Sequence, residues 1–283
     1  MLLKSITMTI QNLPMISKSQ IPILFLLYIV LLGASACQKV VDINLNTANP
    51  KLVVEANFDD NTNTCKVLLT KSVNFTESNV FPTEQGAMVL LSKQNGEVDT
   101  LKESLPGVYT QSNIRICRDS AYVLKIKTKD GKLYQSQSIL RNPIVIDTMF
   151  VKEENLGFRG KRYNVQVKFK DDGTIANYYK LMVYVNGVKS SSLRVRTDEL
   201  FNGKVADLII RMDNNQVLKA GDQITVNIQG IDKNVYTYFF GINQLGSGPN
   251  ASATPSNPTS NIDGDCLGYF SANANAHKTL IMP

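Results

Sequence analysis

From Lys51 to the C-terminus, apolar and polar residues alternate in short runs instead of recurring every three or four positions. A period of two puts successive side chains on opposite faces of a strand, so these runs predict half-buried β-strands. Leu52-Val53-Val54-Glu55-Ala56 opens the series, and Cys65-Lys66-Val67-Leu68-Leu69-Thr70 follows a polar Asp59-Asp60-Asn61 turn. Ala87-Met88-Val89-Leu90-Leu91 and Val98-Asp99-Thr100-Leu101 flank Asn95-Gly96, a hairpin signal because both turn residues tolerate positive φ. Tyr122, Leu124, Ile126 and Thr128 alternate with Val123, Lys125, Lys127 and Lys129, which gives one apolar and one largely solvated face. Asp130-Gly131 then turns the chain into Lys132-Leu133-Tyr134-Gln135-Ser136.

Asn142-Pro143 interrupts this rhythm and sets a domain boundary near Leu140. Beyond it, Tyr163 to Phe169, Tyr178 to Val185, Leu208 to Ile210 and Ile224 to Ile228 read as strands. Asp171-Asp172-Gly173 and Asn186-Gly187 are turns among them. Asp232 to Leu245 has a different period. Val235, Tyr238, Phe239, Ile242 and Leu245 recur at helical spacing, with Asp232 placed to cap the start and Gly246 to end it. The aromatic stripe is read as core packing. A Gly, Ser, Asn and Pro stretch from Gly246 to Asn261 predicts an exposed loop before strands at Leu267 to Phe270 and Thr279 to Met282. The fold class is therefore mainly β, with two tandem antiparallel β-sandwich-like domains at 51–140 and 141–283 and one short helix in the second. At 283 residues the chain is long enough for two such cores.

The N-terminus follows another logic. Ile21 to Leu32 is apolar apart from Pro22, follows Lys18, and leads into Gly33-Ala34-Ser35-Ala36-Cys37. Basic, apolar and small segments in that order describe a secretory leader, 1–36. The run is shorter than the roughly 20 residues a membrane-spanning helix needs. Translation from Met15 would give a more compact leader than Met1. Small residues ending at Cys37 resemble a bacterial lipobox, in which the thiol receives a diacylglyceryl group. Residues 37–50 are then a lipidated tether, and stable attachment follows from two or more acyl chains. Ala34-Ser35-Ala36 also fits an ordinary signal-peptidase site, the competing reading.

Charge narrows the partners. Residues 1–36 hold Lys4 and Lys18 and no acid, so loss of the leader removes two of the six net positive charges. The remainder is dispersed, without the basic stripe that nucleic-acid binding needs. Cys65, Cys117 and Cys266 form no C-x-x-C pair and no zinc spacing. In an oxidising envelope Cys65 and Cys117 are the pair placed for a disulfide; three buried apolar thiols are the alternative. The one histidine, His277, lies near the C-terminus between Ala276 and Lys278, so no triad or histidine-based metal site is expected. The neighbouring carboxylates Asp59-Asp60, Glu153-Glu154 and Asp171-Asp172 point to opposite faces of a strand or sit in turns. Asp213-Asn214-Asn215 and Asp263-Gly264-Asp265 lack the ligand ladder of a calcium loop. No catalytic residue, metal or cofactor is expected, and the chain is read as not an enzyme.

These residues also carry a resemblance. A leader ending in cysteine, then Leu52-Val53-Val54-Glu55, Gly107-Val108-Tyr109, Tyr122-Val123-Leu124 and Asp130-Gly131-Lys132-Leu133-Tyr134 is similar to the first half of a Bacteroidota lipoprotein family, domain of unknown function 4249. Phe201-Asn202-Gly203-Lys204, Gly221-Asp222, Tyr236-Thr237-Tyr238-Phe239, and Asn257 to Ile262 leading to Leu267-Gly268-Tyr269-Phe270-Ser271-Ala272 resemble its second half. Asp263-Gly264-Asp265-Cys266 departs from the usual Gly-rich link. The resemblance implies an immunoglobulin- or transthyretin-like first domain and an outer-membrane lipoprotein, lipid-anchored on a face the sequence does not specify. It implies a non-catalytic accessory or binding subunit beside a TonB-dependent receptor in nutrient or metal-complex uptake. A surface glycan-binding or adhesive lipoprotein is the alternative. Asp99-Thr100-Leu101, Asp119-Ser120-Ala121 and Asp147-Thr148-Met149 resemble the O-glycosylation acceptors of such envelopes, which makes Thr100, Ser120 and Thr148 candidate sites.

Overall fold

Alternating burial dominates the computed structural model, which describes residues 49–74, 77–155, 157–212, 217–245 and 257–283. The leader, Cys37, the tether up to residue 48, Asp213-Asn214-Asn215 and loop residues 246–256 lie outside the described residues. The strands are β1 (Leu52–Asp59), β2 (Thr64–Lys71), β3 (Met88–Lys93), β4 (Val98–Leu105), β5 (Val108–Gln111), β6 (Ser120–Lys127), β7 (Leu133–Leu140) and β8 (Ile146–Asn155). After a 3-10 turn at Gly157–Arg159 come β9 (Lys161–Lys170), β10 (Tyr178–Val185), β11 (Val188–Lys189), β12 (Arg194–Thr197), β13 (Val205–Arg211) and β14 (Gln223–Ile231). Helix α1 (Lys233–Leu245), β15 (Ile262–Asp263) and β16 (Cys266–Ile281) complete the chain.

The fold is mainly β, as the alternation predicts. One curled sheet runs β11-β10-β14-β16-β1-β2-β5-β4-β3-β6-β7-β15, with β12 added to β10; a second, three-stranded sheet runs β13-β9-β8. Two large apolar cores result, with a smaller third cluster under α1. The first packs Val54, Ala56 and Phe58 of β1 and Val67 and Leu69 of β2 against Leu91, Tyr122, Leu124 and Ile126 across the curl. The second packs Val165, Val167 and Phe169 of β9 against Leu181, Val183, Ile224, Val226 and Ile228. A fully buried Leu or Phe contributes about 1.5–3 kcal/mol, so each core is a substantial driving force before chain entropy opposes it.

The two cores part between Leu140 and Ile146, but the chain does not divide there completely. Strand β16 is one continuous 16-residue element. Its first half pairs in parallel with β1, Leu52 opposite Cys266 through Asp59 opposite Asn273. Its second half pairs antiparallel with β14, Gly230 opposite Ala274 through Gln223 opposite Ile281. Ile262, Cys266, Phe270, Ala272 and Ala274 therefore belong to the first core, although they follow the whole second domain in sequence. Within this β-sandwich fold the last strand is common to both units, and its contact with the first strand is parallel. Gly268 makes the parallel approach feasible. It sits at φ +103°, and a Cβ there would lie 1.9 Å from the carbonyl oxygen of Val54.

Cys65, Cys117 and Cys266 are free thiols, so the expected Cys65–Cys117 disulfide is not formed in this structure. Cys65 points into the first core and is fully buried, where desolvation pushes its thiol well above the ordinary range. Cys117 lies at the margin of that core, its backbone N–H donating to the Tyr122 hydroxyl at 2.8 Å. A buried neutral thiol behaves as a small apolar side chain, which is how Cys65 is used here.

Candidate binding cleft at the junction of the sandwiches

Between the two apolar cores the contacts change character. Along β16, Ser271, Asn273 and Asn275 alternate with Ala272, Ala274 and Ala276, and the three polar residues are all buried. Each finds partners, as buried polar groups must. The Asn275 backbone N–H and side-chain amide both donate to Asp60 Oδ1 at 2.9 Å. Asp60 Oδ2 accepts from Arg118 Nη1 at 2.5 Å. Gln229 and Asn227 of β14 donate to Asn275 Oδ1 at 3.0 and 3.2 Å. Asp60, from the first hairpin, thus reaches a strand that also serves the second sandwich.

A second carboxylate completes the junction. Asp232 Oδ1 accepts the backbone N–H groups of Asn234 and Val235, both at 3.0 Å, the N-cap of α1 that the spacing predicts. Its Oδ2 accepts from the Ser138 hydroxyl of β7 at 2.5 Å, and Ser138 Oγ in turn accepts the Ala272 N–H at 2.9 Å. One carboxylate therefore ties α1, β7 and β16 together. The helix packs its Val235 and Phe239 over β10, β12 and β16, beside Tyr269 and Val195, so the aromatic stripe is core packing as expected. The Lys180 ammonium lies 3.9 Å above the Phe239 ring. Burial, and after it the charge of Lys189, lowers Lys180 to about 8. Its cross-strand neighbour Gln229 leaves a buried Oε1 without a hydrogen bond.

Beside this junction opens a cleft of about 680 Å³, lined from the first sandwich by Gln137, Ile139 and Arg141 and from the second by Tyr178, Asp232 and Lys233 among others. A smaller cavity of about 220 Å³ shares Arg141 and Ile175 with it and adds Asp119, Asp147, Lys170 and Asp172. The cleft lining mixes apolar Ile139, Ile175 and Ile231 with the cations of Lys233 and of Arg141, which lies 3.9 Å from Asp119, while Asp232 is already engaged by four donors. Such a surface suits a ligand or peptide with an apolar body and an anionic group.

A different pocket, of about 720 Å³, lies where the described chain begins, lined by Asn49, Pro50, Lys51, Lys71, Glu84, Asp130, Lys132, Tyr134 and Asp265. Its charges pair internally: Lys51 with Asp265 at 2.5 Å, Lys71 with Glu84 at 2.8 Å and Lys132 with Asp130 at 3.0 Å. Asp130 is held down to about 2, chiefly by the Thr128 hydroxyl and then by Lys132.

The remaining residues singled out from sequence do not converge. Thr100 is exposed on β4, Thr148 is exposed on β8, and Ser120 at the start of β6 is half-buried with its hydroxyl donating to the Arg118 carbonyl at 3.1 Å. His277 is exposed on β16 opposite Asn227. Glu153 and Glu154 take different partners, Lys161 and Asn164, as strand neighbours should. Asp172 closes a turn by accepting the Thr174 N–H and hydroxyl, whereas Asp171 is buried and accepts from the Tyr179 hydroxyl and the Gly203 N–H. No group of three or more His, Cys, Asp or Glu able to hold a metal occurs among the described residues, and no helix among them is long and apolar enough to cross a membrane. Sequence reasoning reads Asp60 as a turn residue only and passes over Arg118, Ser138, Arg141 and Asn275. The single available signal was the Ser-Ala-Asn-Ala-Asn-Ala alternation, a strand pattern written in small and polar residues.

Comparison with solved structures returns matches at low similarity. A two fibronectin type-III domain segment from chicken tenascin is 10% identical, with 83% of this chain and 99% of that chain covered and a TM-score of 0.23. A cytokine receptor complex is 9% identical (81% and 95% covered, TM-score 0.26), and the chicken interferon gamma receptor alpha chain is 9% identical (84% and 99% covered, TM-score 0.25). No curated protein matches the sequence. A family model described as "Domain of unknown function (DUF4249)" matches residues 38–279.

Proposed function

The chain belongs to the DUF4249 family, and from that footing we propose that it is a lipid-anchored outer-membrane lipoprotein of the Bacteroidota type, serving as a non-catalytic binding subunit beside a TonB-dependent receptor. The observation that carries the reading is the junction cleft. Its walls come from both sandwiches, and the Asp232 and Asp60 networks that hold those walls are buried and hydrogen-bonded. A preorganised cleft between two rigid units binds without an ordering cost. Arg141 and Lys233 in its lining give it cations for an acidic segment of the receptor or an anionic nutrient complex. The non-catalytic part rests on chemistry: the paired carboxylates serve turns and strands, and the lone histidine is exposed on β16 opposite Asn227. The anchor rests on the leader and Cys37.

Mild-detergent isolation of the tagged chain from native outer membranes, with mass spectrometry of its partners, tests the proposal. Stoichiometric recovery of a TonB-dependent receptor, lost in an Arg141→Glu/Lys233→Glu variant that still melts normally, is the expected result. Recovery alone under several detergents, together with tight binding to an isolated polysaccharide, would move the assignment to a glycan-binding adhesin. Palmitate label persisting in Cys37→Ala would remove the anchor.

A further inference from the structure

The solvated face of the first sandwich has an unusual composition for a surface that only meets water. Its outward residues are Met88, Leu90 and Ser92 on β3, Val123, Lys125 and Lys127 on β6, and Leu133, Gln135 and Gln137 on β7, with Lys129 just beyond β6. The registers place Met88, Lys127 and Leu133 in one cross-strand row and Leu90, Lys125 and Gln135 in the next. Met88 is 51% and Leu133 73% exposed. These outward positions carry no acid themselves, and the exposed carboxylate Asp263 of β15 stands opposite Gln135 and lines the same groove. Lys125, Lys127 and Lys129 have no ion pair among the described residues, in contrast to Lys51, Lys71 and Lys132 around the corner. A groove of about 380 Å³ runs between them, lined by Met88, Leu90, Leu133, Tyr134 and Asp263 among others. Tyr134 also borders the pocket where the described chain starts at Asn49. The lysine face and the origin of the tether therefore share one end of the body.

We propose that this β3-β6-β7 face is a membrane-contact surface that rests on anionic phospholipid headgroups, the three lysines meeting phosphates while Met88 and Leu133 dip into the interfacial layer. The inference rests on anchoring at Cys37 and deepens it by fixing which side of the body faces the bilayer. Residues 38–50 span at most about 3.3–3.6 Å each, so an anchored body stays within about 45 Å of the lipid. A lysine near an anionic surface is attracted within a Debye length, and long lysine stems cover apolar neighbours while their ammonium groups stay wet. An acyl anchor combined with such a basic patch gives firmer attachment than a single acyl chain alone.

The test uses the whole chain as isolated from membranes, reconstituted into vesicles of phosphatidylcholine alone or with phosphatidylglycerol. Amine acylation of Lys125, Lys127 and Lys129 and peroxide oxidation of Met88, read by mass spectrometry, are expected to fall about threefold or more when phosphatidylglycerol is present. Lys189 and Lys219, on the second sandwich, are expected to label equally in both. High salt, or a Lys125→Glu/Lys127→Glu/Lys129→Glu variant with an unchanged melting temperature, should restore Met88 oxidation. Equal labelling in the two vesicles overturns the proposal. So does protection seen only in native membranes, which would make the occupant a protein, and so does a glycan found on Thr100, which stands opposite Leu90 on this face. Flotation separates the two ideas. A chain that fails to float with phosphatidylcholine vesicles lacks its acyl anchor, while phosphatidylglycerol-dependent flotation abolished by the charge reversals supports the face regardless.

Discussion

The apolar cores and the strip between them hold the chain by different physics. In the first core Val54, Phe58, Leu91 and Leu124 meet through contact that is strong but non-directional, and neighbours can shift to accommodate a change of shape. At the junction Asp60, Arg118, Asn275, Ser138 and Asp232 meet through hydrogen bonds whose angles permit one arrangement. Apolar burial makes each sandwich stable, and the polar strip sets the angle at which one stands on the other. A flexible two-domain chain with the same cores would keep its stability and lose its cleft.

The largest disturbance should come from the one strand that serves both regions. Gly268→Val places a branched side chain into the Val54 carbonyl at a backbone conformation that L-residues rarely adopt. A loss of at least about 3 kcal/mol, seen as insoluble protein or a collapsed melting temperature, is expected. Next comes Arg118→Ala, which leaves the buried Asp60 carboxylate without its cation although Asn275 still donates to its Oδ1. Breaking a buried pair costs roughly 3–5 kcal/mol, and the partial exposure of Arg118 places this one near the lower end. Asp60→Asn/Arg118→Met should recover part of that loss in urea denaturation; no recovery would mean that the charge pair is not what holds the strip. Asp232→Ala removes a cap worth about 1–2 kcal/mol and frees Ser138, so faster amide exchange at Asn234, Val235 and Ile139 should accompany the loss, with the first core unaffected.

Smallest over any single pH unit is a pH dependence. Lys180 is lowered to about 8 in the folded chain and returns to its ordinary higher value on unfolding. The unfolded state therefore holds more protons between these values, and stability rises with pH across that window. The slope approaches about 1.4 kcal/mol per pH unit at most. Lys180→Met should abolish the rise and stabilise the protein near neutral pH. A wild-type melting curve flat from pH 8 to 10 would show the amine to be solvated.

How much of this was legible depended on whether a feature was local. Asn186-Gly187 reads as a hairpin tip and has φ of +50° and +79°, because the turn is specified by its own two residues. The Asp232 cap and the helical stripe behind it were equally local. Strand β8 was missed: it lies at the edge of a three-stranded sheet, mostly exposed, and Ile146 to Asn155 has little alternation to read. The middle of β16 was missed for the opposite reason. Ser271, Asn273 and Asn275 look like loop residues, and only partners more than 40 positions away, such as Gln229 and Asp60, make them strand. Arg141 and Lys233 belong to one cleft because β7 and α1 meet in space, a fact no short window contains.

The parallel ladder between the first and last strands also has a mechanical meaning. A pull on the chain ahead of Leu52, opposed by a load held at the second sandwich, draws β1 and β16 along each other in opposite senses. Their bonds from Leu52–Cys266 to Asp59–Asn273 then bear the tension together, in shear, and do not open one at a time like a zipper. The seam that joins the two ends of the sequence is thus also the place where the molecule is built to resist being stretched.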